Sequence, residues 1–167
     1  MNVADSEIVS SILDKSGYTK TNNIENADII LVNTCSIREN AETRVRGRIS
    51  VYKKHKKQRN ALVGVLGCMA ERLKEDLINQ EKTVDIVVGP DSYRLLPQMI
   101  EEALNGRKIV QTILSDDETY EDILPVRYDN NGVSAFVSIM RGCQNFCSYC
   151  IVPYVRGIER SRNPETI

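Results

Sequence analysis

The chain has 167 residues, of which 41% are hydrophobic and 27% charged, with a formal charge of −1 at neutral pH. This length suits one ordinary domain, or a small domain with part of another, and the apolar content is enough for a core. The near balance of charge excludes a global attraction to nucleic acid or membrane, so any such attraction must be local, and no apolar run approaches the ~18 residues of a membrane span.

The start of the chain, residues 1–7, is acidic and has no basic-then-apolar leader, which points to the cytoplasm. Ala4, Ile8 and Ile12 recur at four-residue spacing and predict a helix stopping at Gly17. Residues 29–32 form a continuous apolar run, the pattern of a strand covered on both faces. Ile37, Ala41, Val45, Ile49 and Tyr52 return to helical spacing. A second strand is expected over 61–66, a short helix over 69–77, and a third strand over 84–88, interrupted by Asp85. Leu95, Leu96, Met99, Ile100 and Leu104 predict another helix, closed by Asn105-Gly106. The alternation predicts an α/β fold, a parallel sheet flanked by helices. Such a unit normally opens with a strand, so a first strand is expected upstream of Met1, in a chain trimmed at its N-terminus.

Residues 1–107 thus read as one domain and 108–132 as a linker. Lys108 to Leu114 can pair as an edge strand, but Ser115-Asp116-Asp117-Glu118 and Asn130-Asn131-Gly132 are loop and turn signals, and the acidic stretch reads as solvated. Residues 133–167 read as the start of a second unit, with a strand over 133–140 that leads into a cysteine cluster.

That cluster, Cys143, Cys147 and Cys150, has the spacing C-x3-C-x2-C. In a reducing compartment crowded thiols are metal ligands or catalysts more often than disulfides, and five cysteines make a poor disulfide framework. Three thiolates on one loop hold three irons of a cubane cluster and leave the fourth open to a small molecule. Zinc would want a fourth ligand, and the only histidine, His55, is far away in sequence. Zinc and inert thiols remain the alternatives. Cys35 and Cys68 each follow a predicted strand, where α/β folds gather their ligands. Two buried free cysteines are the alternative for them.

The loop Cys143 to Cys150, with the aromatic Tyr149 before its last cysteine, resembles the signature of the radical S-adenosylmethionine superfamily. The resemblance implies a 4Fe–4S cluster on Cys143, Cys147 and Cys150 whose open iron chelates S-adenosyl-L-methionine, one-electron cleavage to a 5′-deoxyadenosyl radical, and Tyr149 near the adenine. It also implies a βα barrel, of which 135–140 would be the first strand and most would be missing. The remaining cysteines resemble those of the methylthiotransferases, whose N-terminal domain binds an auxiliary 4Fe–4S cluster through three cysteines. Cys35 and Cys68 match two of these. The third, in a Gly-Cys-Gln-Met-Asn motif ending at Met1-Asn2, would lie two residues upstream of Met1. The segment Asn33-Thr34-Cys35-Ser36-Ile37-Arg38-Glu39-Asn40-Ala41 and the run from Cys150 to Arg162 resemble the MiaB-type branch. That branch adds a methylthio group to carbon 2 of an isopentenylated adenosine beside the tRNA anticodon. The resemblance therefore implies a tRNA substrate and a flavodoxin-like electron donor, while a chain lacking a ligand, most of the barrel and the RNA-binding module is expected to be inactive alone. A sibling methylthiotransferase, acting on another tRNA adenosine or a ribosomal-protein aspartate, and a non-enzymatic metal- or RNA-binding module are the competing readings.

Arg44, Arg46, Arg48, Lys53, Lys54, Lys56, Lys57 and Arg59 place a basic stripe on the second helix. It reads either as a solvated face or as a phosphate-contacting surface for tRNA. Arg156, Arg160 and Arg162 read as facing an anionic substrate, as packing residues or as surface charge.

Overall fold

A computed structural model describes residues 2–36, 39–126 and 135–167. Met1, Ile37, Arg38, the expected turn at Asn130-Asn131-Gly132 and the beginning of the strand expected from Val133 lie outside the described residues.

Four strands, β1 (Ile29–Thr34), β2 (Leu62–Gly67), β3 (Ile86–Val88) and β4 (Ile109–Gln111), lie in that order in one all-parallel sheet. Each connection is a helix: α2 (Glu39–Arg59), α3 (Cys68–Gln80) and α4 (Leu96–Leu104), with α1 (Asn2–Lys15) preceding β1. The two-residue period of a strand sorts the core into two layers. Leu62, Leu66, Ile86 and Val88 pack with Ile8 and Ile12 of α1 and Met99 and Ile100 of α4. Val65 and Val87 point the other way, onto Ile49 of α2 and Met69 and Leu77 of α3. All six residues of β2 are buried, and each fully buried Val or Leu side chain contributes roughly 1.5–3 kcal/mol. The central strand therefore anchors both layers.

The sequence signals for the first three strands and four helices are met within a few residues. Asp85, just before β3, does not break the sheet: its amide donates to the Val63 carbonyl and its carbonyl accepts from the Ile109 amide, both at 2.8 Å, while its carboxylate accepts from the Val63 amide at 3.0 Å and pairs with Lys56. Residues 109–111 do pair, as the edge strand β4.

The acidic stretch is solvated at Asp116 and Asp117, as expected, but the residues that follow it are not. Tyr120 and Ile123 enter the core, and the Tyr93 amide donates to the Tyr120 hydroxyl at 3.0 Å. Its acids are held outside by one cation, Glu118 and Asp122 both pairing with Arg94. Charge made the segment look like solvent-facing chain, whereas its apolar residues turn inward.

The strand expected over 133–140 is also corrected. Phe136, Val137 and Ile139 are exposed, and no strand lies beside 135–139 among the described residues. The only ladder here among the described residues is β5 (Met140–Arg141), antiparallel to β6 (Arg160–Ser161) with Arg141 opposite Arg160, extended by one bond from the Arg162 amide to the Ile139 carbonyl at 2.9 Å. Between them lie the cysteine loop and a single helical turn, α5 (Val152–Arg156), packed on α3. No helix among the described residues is long and apolar enough to cross a membrane.

Two candidate cysteine sites

Parallel pairing of β1 with β2 sets Thr34 beside Gly67 at the last rung of the ladder. Cys35 and Cys68 are the next residues on their strands, so they leave the sheet at the same level, from strands about 4.8 Å apart. Two features fix that level. Thr34 Oγ1 donates to the Leu66 carbonyl at 2.6 Å and accepts from the Met69 amide at 3.3 Å, tying the end of β1 to the first turn of α3. Gly67 adopts φ +89°, and a Cβ there would meet Asn33 Oδ1 and the Thr34 carbonyl at 2.7 Å. Only glycine permits this turn into Cys68. Cys68 is buried at the start of α3 and Cys35 is half-buried; both thiols are free.

The Cys68 sulfur accepts a hydrogen bond from Arg156 Nε at 3.1 Å. That guanidinium also pairs with Asp5 of α1 at 2.6 Å. Asp5 in turn takes Arg141 at 2.9 Å, and Asp91 pairs with both Arg141, at 3.6 Å, and Arg160, at 2.7 Å. Every side chain of this network is at most 4% exposed. Burial works against the charge of Arg156, but Asp5 and the Cys68 sulfur outweigh it and hold the guanidinium protonated. Arg141 further stacks over the Tyr120 ring at 4.9 Å and donates to the Pro90 carbonyl. This corrects one option for the arginines after the cysteine loop. Arg156 and Arg160 lock the two halves of the chain together, while Arg162, on the wall of a small cavity between residues 119–125 and 136–138, binds the carbonyls of Ser138, Glu121 and Thr166.

The second site lies on the loop after β5. Gly142, at φ +74°, opens it, and a Cβ there would collide with the Ile158 carbonyl. The Cys143 amide donates to the Gly157 carbonyl at 3.1 Å and the Cys150 amide to the Cys147 carbonyl at 2.9 Å. Cys143 and Cys150 are half-buried and Cys147 exposed, all as free thiols. Phe146 sits at φ +45° with its ring edge-on to Tyr154. Tyr149 projects into solvent, 90% exposed. Among the described residues no three His, Cys, Asp or Glu side chains are gathered as they would be around a metal ion. The donor set still suits iron–sulfur chemistry: one place offers free thiols at the ends of two adjacent strands, the other three on one short loop, and thiolates are the ligands such clusters use. His55 is buried in α2, 3.7 Å from Glu25, and offers nothing to either site.

The basic stripe divides. Arg46 pairs with Glu81, Lys56 with Asp85 and Arg59 with Asp28. Arg44, Arg48, Lys53, Lys54 and Lys57 are exposed and have no acidic partner among the described residues. Lys53, Lys56 and Lys57 join Lys82 along a groove of about 500 Å³ between α2 and the α3–β3 turn.

The sequence reading missed the role of Asp5 and Asp91. The available signal was Asp5 itself, an acid within the apolar stripe Ala4, Ile8, Val9 and Ile12 of α1.

A model of the family described as Uncharacterized protein family UPF0004 matches residues 1–89, more than half of the chain. Over its whole length the chain is 58% identical to the tRNA-2-methylthio-N(6)-dimethylallyladenosine synthase of Christiangramia forsetii. It is 55% identical to the proteins of that name from Amoebophilus asiaticus and Parabacteroides distasonis. The chain covers 35%, 35% and 36% of these three proteins respectively, so it spans about a third of the curated relatives it matches.

Proposed function

We propose, from the premise that this chain belongs to the UPF0004 family, that it is part of an enzyme attaching a methylthio group to carbon 2 of an isopentenylated adenosine in tRNA. The observation that carries this reading is the rung-level exit of Cys35 and Cys68 from adjacent parallel strands, beside a segment that bears three further thiols. The relatives, named as tRNA-2-methylthio-N(6)-dimethylallyladenosine synthases, suggest the substrate.

In this reading Cys143, Cys147 and Cys150 hold one 4Fe–4S cluster, and Cys35 and Cys68 are two of three ligands to another. When bound, the clusters and S-adenosyl-L-methionine supply one-electron cleavage of a sulfonium and the sulfur to be transferred. The residues of this chain do the positioning. Thr34 and Gly67 fix the heights of Cys35 and Cys68, and the arginine–aspartate network holds the segment carrying the loop against the sheet. Distances between reacting groups then depend on rigid elements and not on a mobile tether. Tyr149, exposed and unstacked, is placed to cover an adenine ring. Arg44, Arg48, Lys53, Lys54 and Lys57 contact tRNA phosphates, whereas Arg46, Lys56 and Arg59 serve the fold. A low-potential electron donor of flavodoxin type and a cytoplasmic setting complete the reading.

The test is an assay of the full-length protein, anaerobically reconstituted, with isopentenylated tRNA, S-adenosyl-L-methionine and a reductant. The expected product is the 2-methylthio nucleoside, with none from the 167-residue chain alone. Turnover on a ribosomal-protein aspartate, with none on tRNA, would overturn the substrate assignment.

A further inference from the structure

We infer that Arg156 is a positioning residue for the sulfur centre at the ends of β1 and β2, setting the electron affinity of whatever cluster Cys68 ligates. The inference rests on the reading above, in which Cys68 is a cluster ligand.

The geometry is specific. Arg156 is the last residue of α5, and α5 packs against α3, whose first residue is Cys68. Its Nε–H points at the Cys68 sulfur from 3.1 Å, while Nη2 is held by Asp5 at 2.6 Å. The guanidinium plane is thus fixed from one side by α1 and aimed at α3 with the other. Asp5 also belongs to Arg141, and Asp91 is divided between Arg141 and Arg160. Among these ion pairs three guanidinium groups share two carboxylates, and Arg156, which divides Asp5 with Arg141, turns its remaining side to the Cys68 sulfur. Burying an uncompensated charge is costly. The group facing Arg156 on that side is the Cys68 sulfur, which would offer it a negative partner when it ligates iron.

A hydrogen bond donated to a ligating sulfur stabilises the more electron-rich, reduced state of a cluster and raises its reduction potential. The next residue, Gly157, accepts from the Cys143 amide at 3.1 Å. Two consecutive residues therefore touch both cysteine sites, Arg156 through its side chain and Gly157 through its carbonyl. The same strut that spaces the sites tunes one of them.

The experiment uses the full-length protein with Cys143, Cys147 and Cys150 replaced by alanine, so that only the cluster of Cys35 and Cys68 assembles. Its midpoint potential is measured by redox titration followed by electron paramagnetic resonance, with Arg156, R156K and R156Q. R156Q removes the charge and the aimed N–H; R156K restores charge for Asp5 without that N–H. Both are expected to lower the potential, R156Q by about tenfold in the one-electron equilibrium, about 59 mV, and R156K by less. An unchanged potential in both overturns the inference. Should the variants not assemble a cluster, pulsed resonance on the unsubstituted Arg156 protein grown with 15N-arginine decides: a nitrogen coupling to the reduced cluster is expected, and its absence overturns the inference. If no cluster forms on Cys35 and Cys68 even with Arg156 present, the reading of these residues as ligands fails with it. A cluster that forms but ignores Arg156 overturns this inference alone.

Discussion

The sulfurs at the ends of β1 and β2 and those on the loop after β5 are held by opposite means. Cys35 and Cys68 grow from a four-stranded sheet whose β2 is buried throughout, with the Thr34–Gly67 rung, two hydrogen bonds of the Thr34 hydroxyl and the Arg156 guanidinium around them. Cys143, Cys147 and Cys150 hang from a two-residue ladder, with two backbone hydrogen bonds and mostly exposed neighbours. Each site is entered through a left-handed glycine pressed against a neighbouring carbonyl, Gly67 on Thr34 and Gly142 on Ile158. The turn is therefore the common device, and the surrounding support is what differs. A sheet edge preorganises its ligands before metal arrives; a loop of this kind gains its final shape from the metal it binds.

Predictions that probe this difference begin with what joins the two regions. Asp91 serves Arg141 and Arg160 from a fully buried carboxylate. D91A strips Arg160 of its carboxylate and leaves Arg141 with Asp5 alone, and is expected to cost about 3–5 kcal/mol, read as a lowered urea midpoint; a loss under ~1 kcal/mol contradicts the role given to the network. Next come the glycines. G67A forces a Cβ against the Asn33 side-chain oxygen and the Thr34 carbonyl at positive φ and should cost about 1–3 kcal/mol of global stability. G142A should instead speed hydrogen exchange at the Cys143 amide and shift the global midpoint less. Equal effects on the midpoint would erase the distinction between sheet and loop. T34V removes a donor and an acceptor at the rung and should cost about 1–2 kcal/mol.

Thiol reactivity sharpens the comparison further. In the reduced, metal-free protein, alkylation followed by mass spectrometry should find Cys147 fastest and Cys68 slowest, by more than about tenfold, because Cys68 must await local opening. The smallest effect is expected at Glu71, on the inner side of α3. Burial pushes its carboxyl above the usual carboxylate range against the pull of Lys74. The unfolded chain releases that proton near pH 4.5 and the folded chain only at higher pH. Native stability therefore falls as pH rises through that interval. E71Q should remove this fall, so the difference in urea midpoint between variant and parent grows in the variant's favour from pH 4.5 upward.

How legible these features were in the sequence follows from the range of the interactions. The parallel sheet could be read because β1 and β2 are short apolar runs separated by helical periodicity, and both signals are local. The rung-level exit of Cys35 and Cys68 followed once those strands were taken as neighbours. The arginine–aspartate network could not be read, since Arg141 and Asp5 are 136 positions apart and Arg156 and Cys68 are 88 apart. Nothing in a run of basic residues says which acid awaits it. The same blindness made the acids at 116–118 look like linker while Tyr120 two residues on is core. The stripe on α2 failed in the reverse sense: Arg46, Lys56 and Arg59 looked available for phosphate, but their acids come from the turn after α3, from the start of β3 and from the loop before β1.

The most direct measurement of the central proposal, two separate cluster sites built on a sheet edge and a loop, is iron and sulfide per chain in the reconstituted full-length protein. About eight irons are expected for the parent, by two 4Fe–4S clusters. A C143A/C147A/C150A variant and a C35A/C68A variant should each retain about four, with distinct resonance spectra and with only the first losing its response to S-adenosyl-L-methionine. Full iron content in the C35A/C68A variant, or the same spectrum from both variants, would contradict the assignment of Cys35 and Cys68 to a cluster of their own.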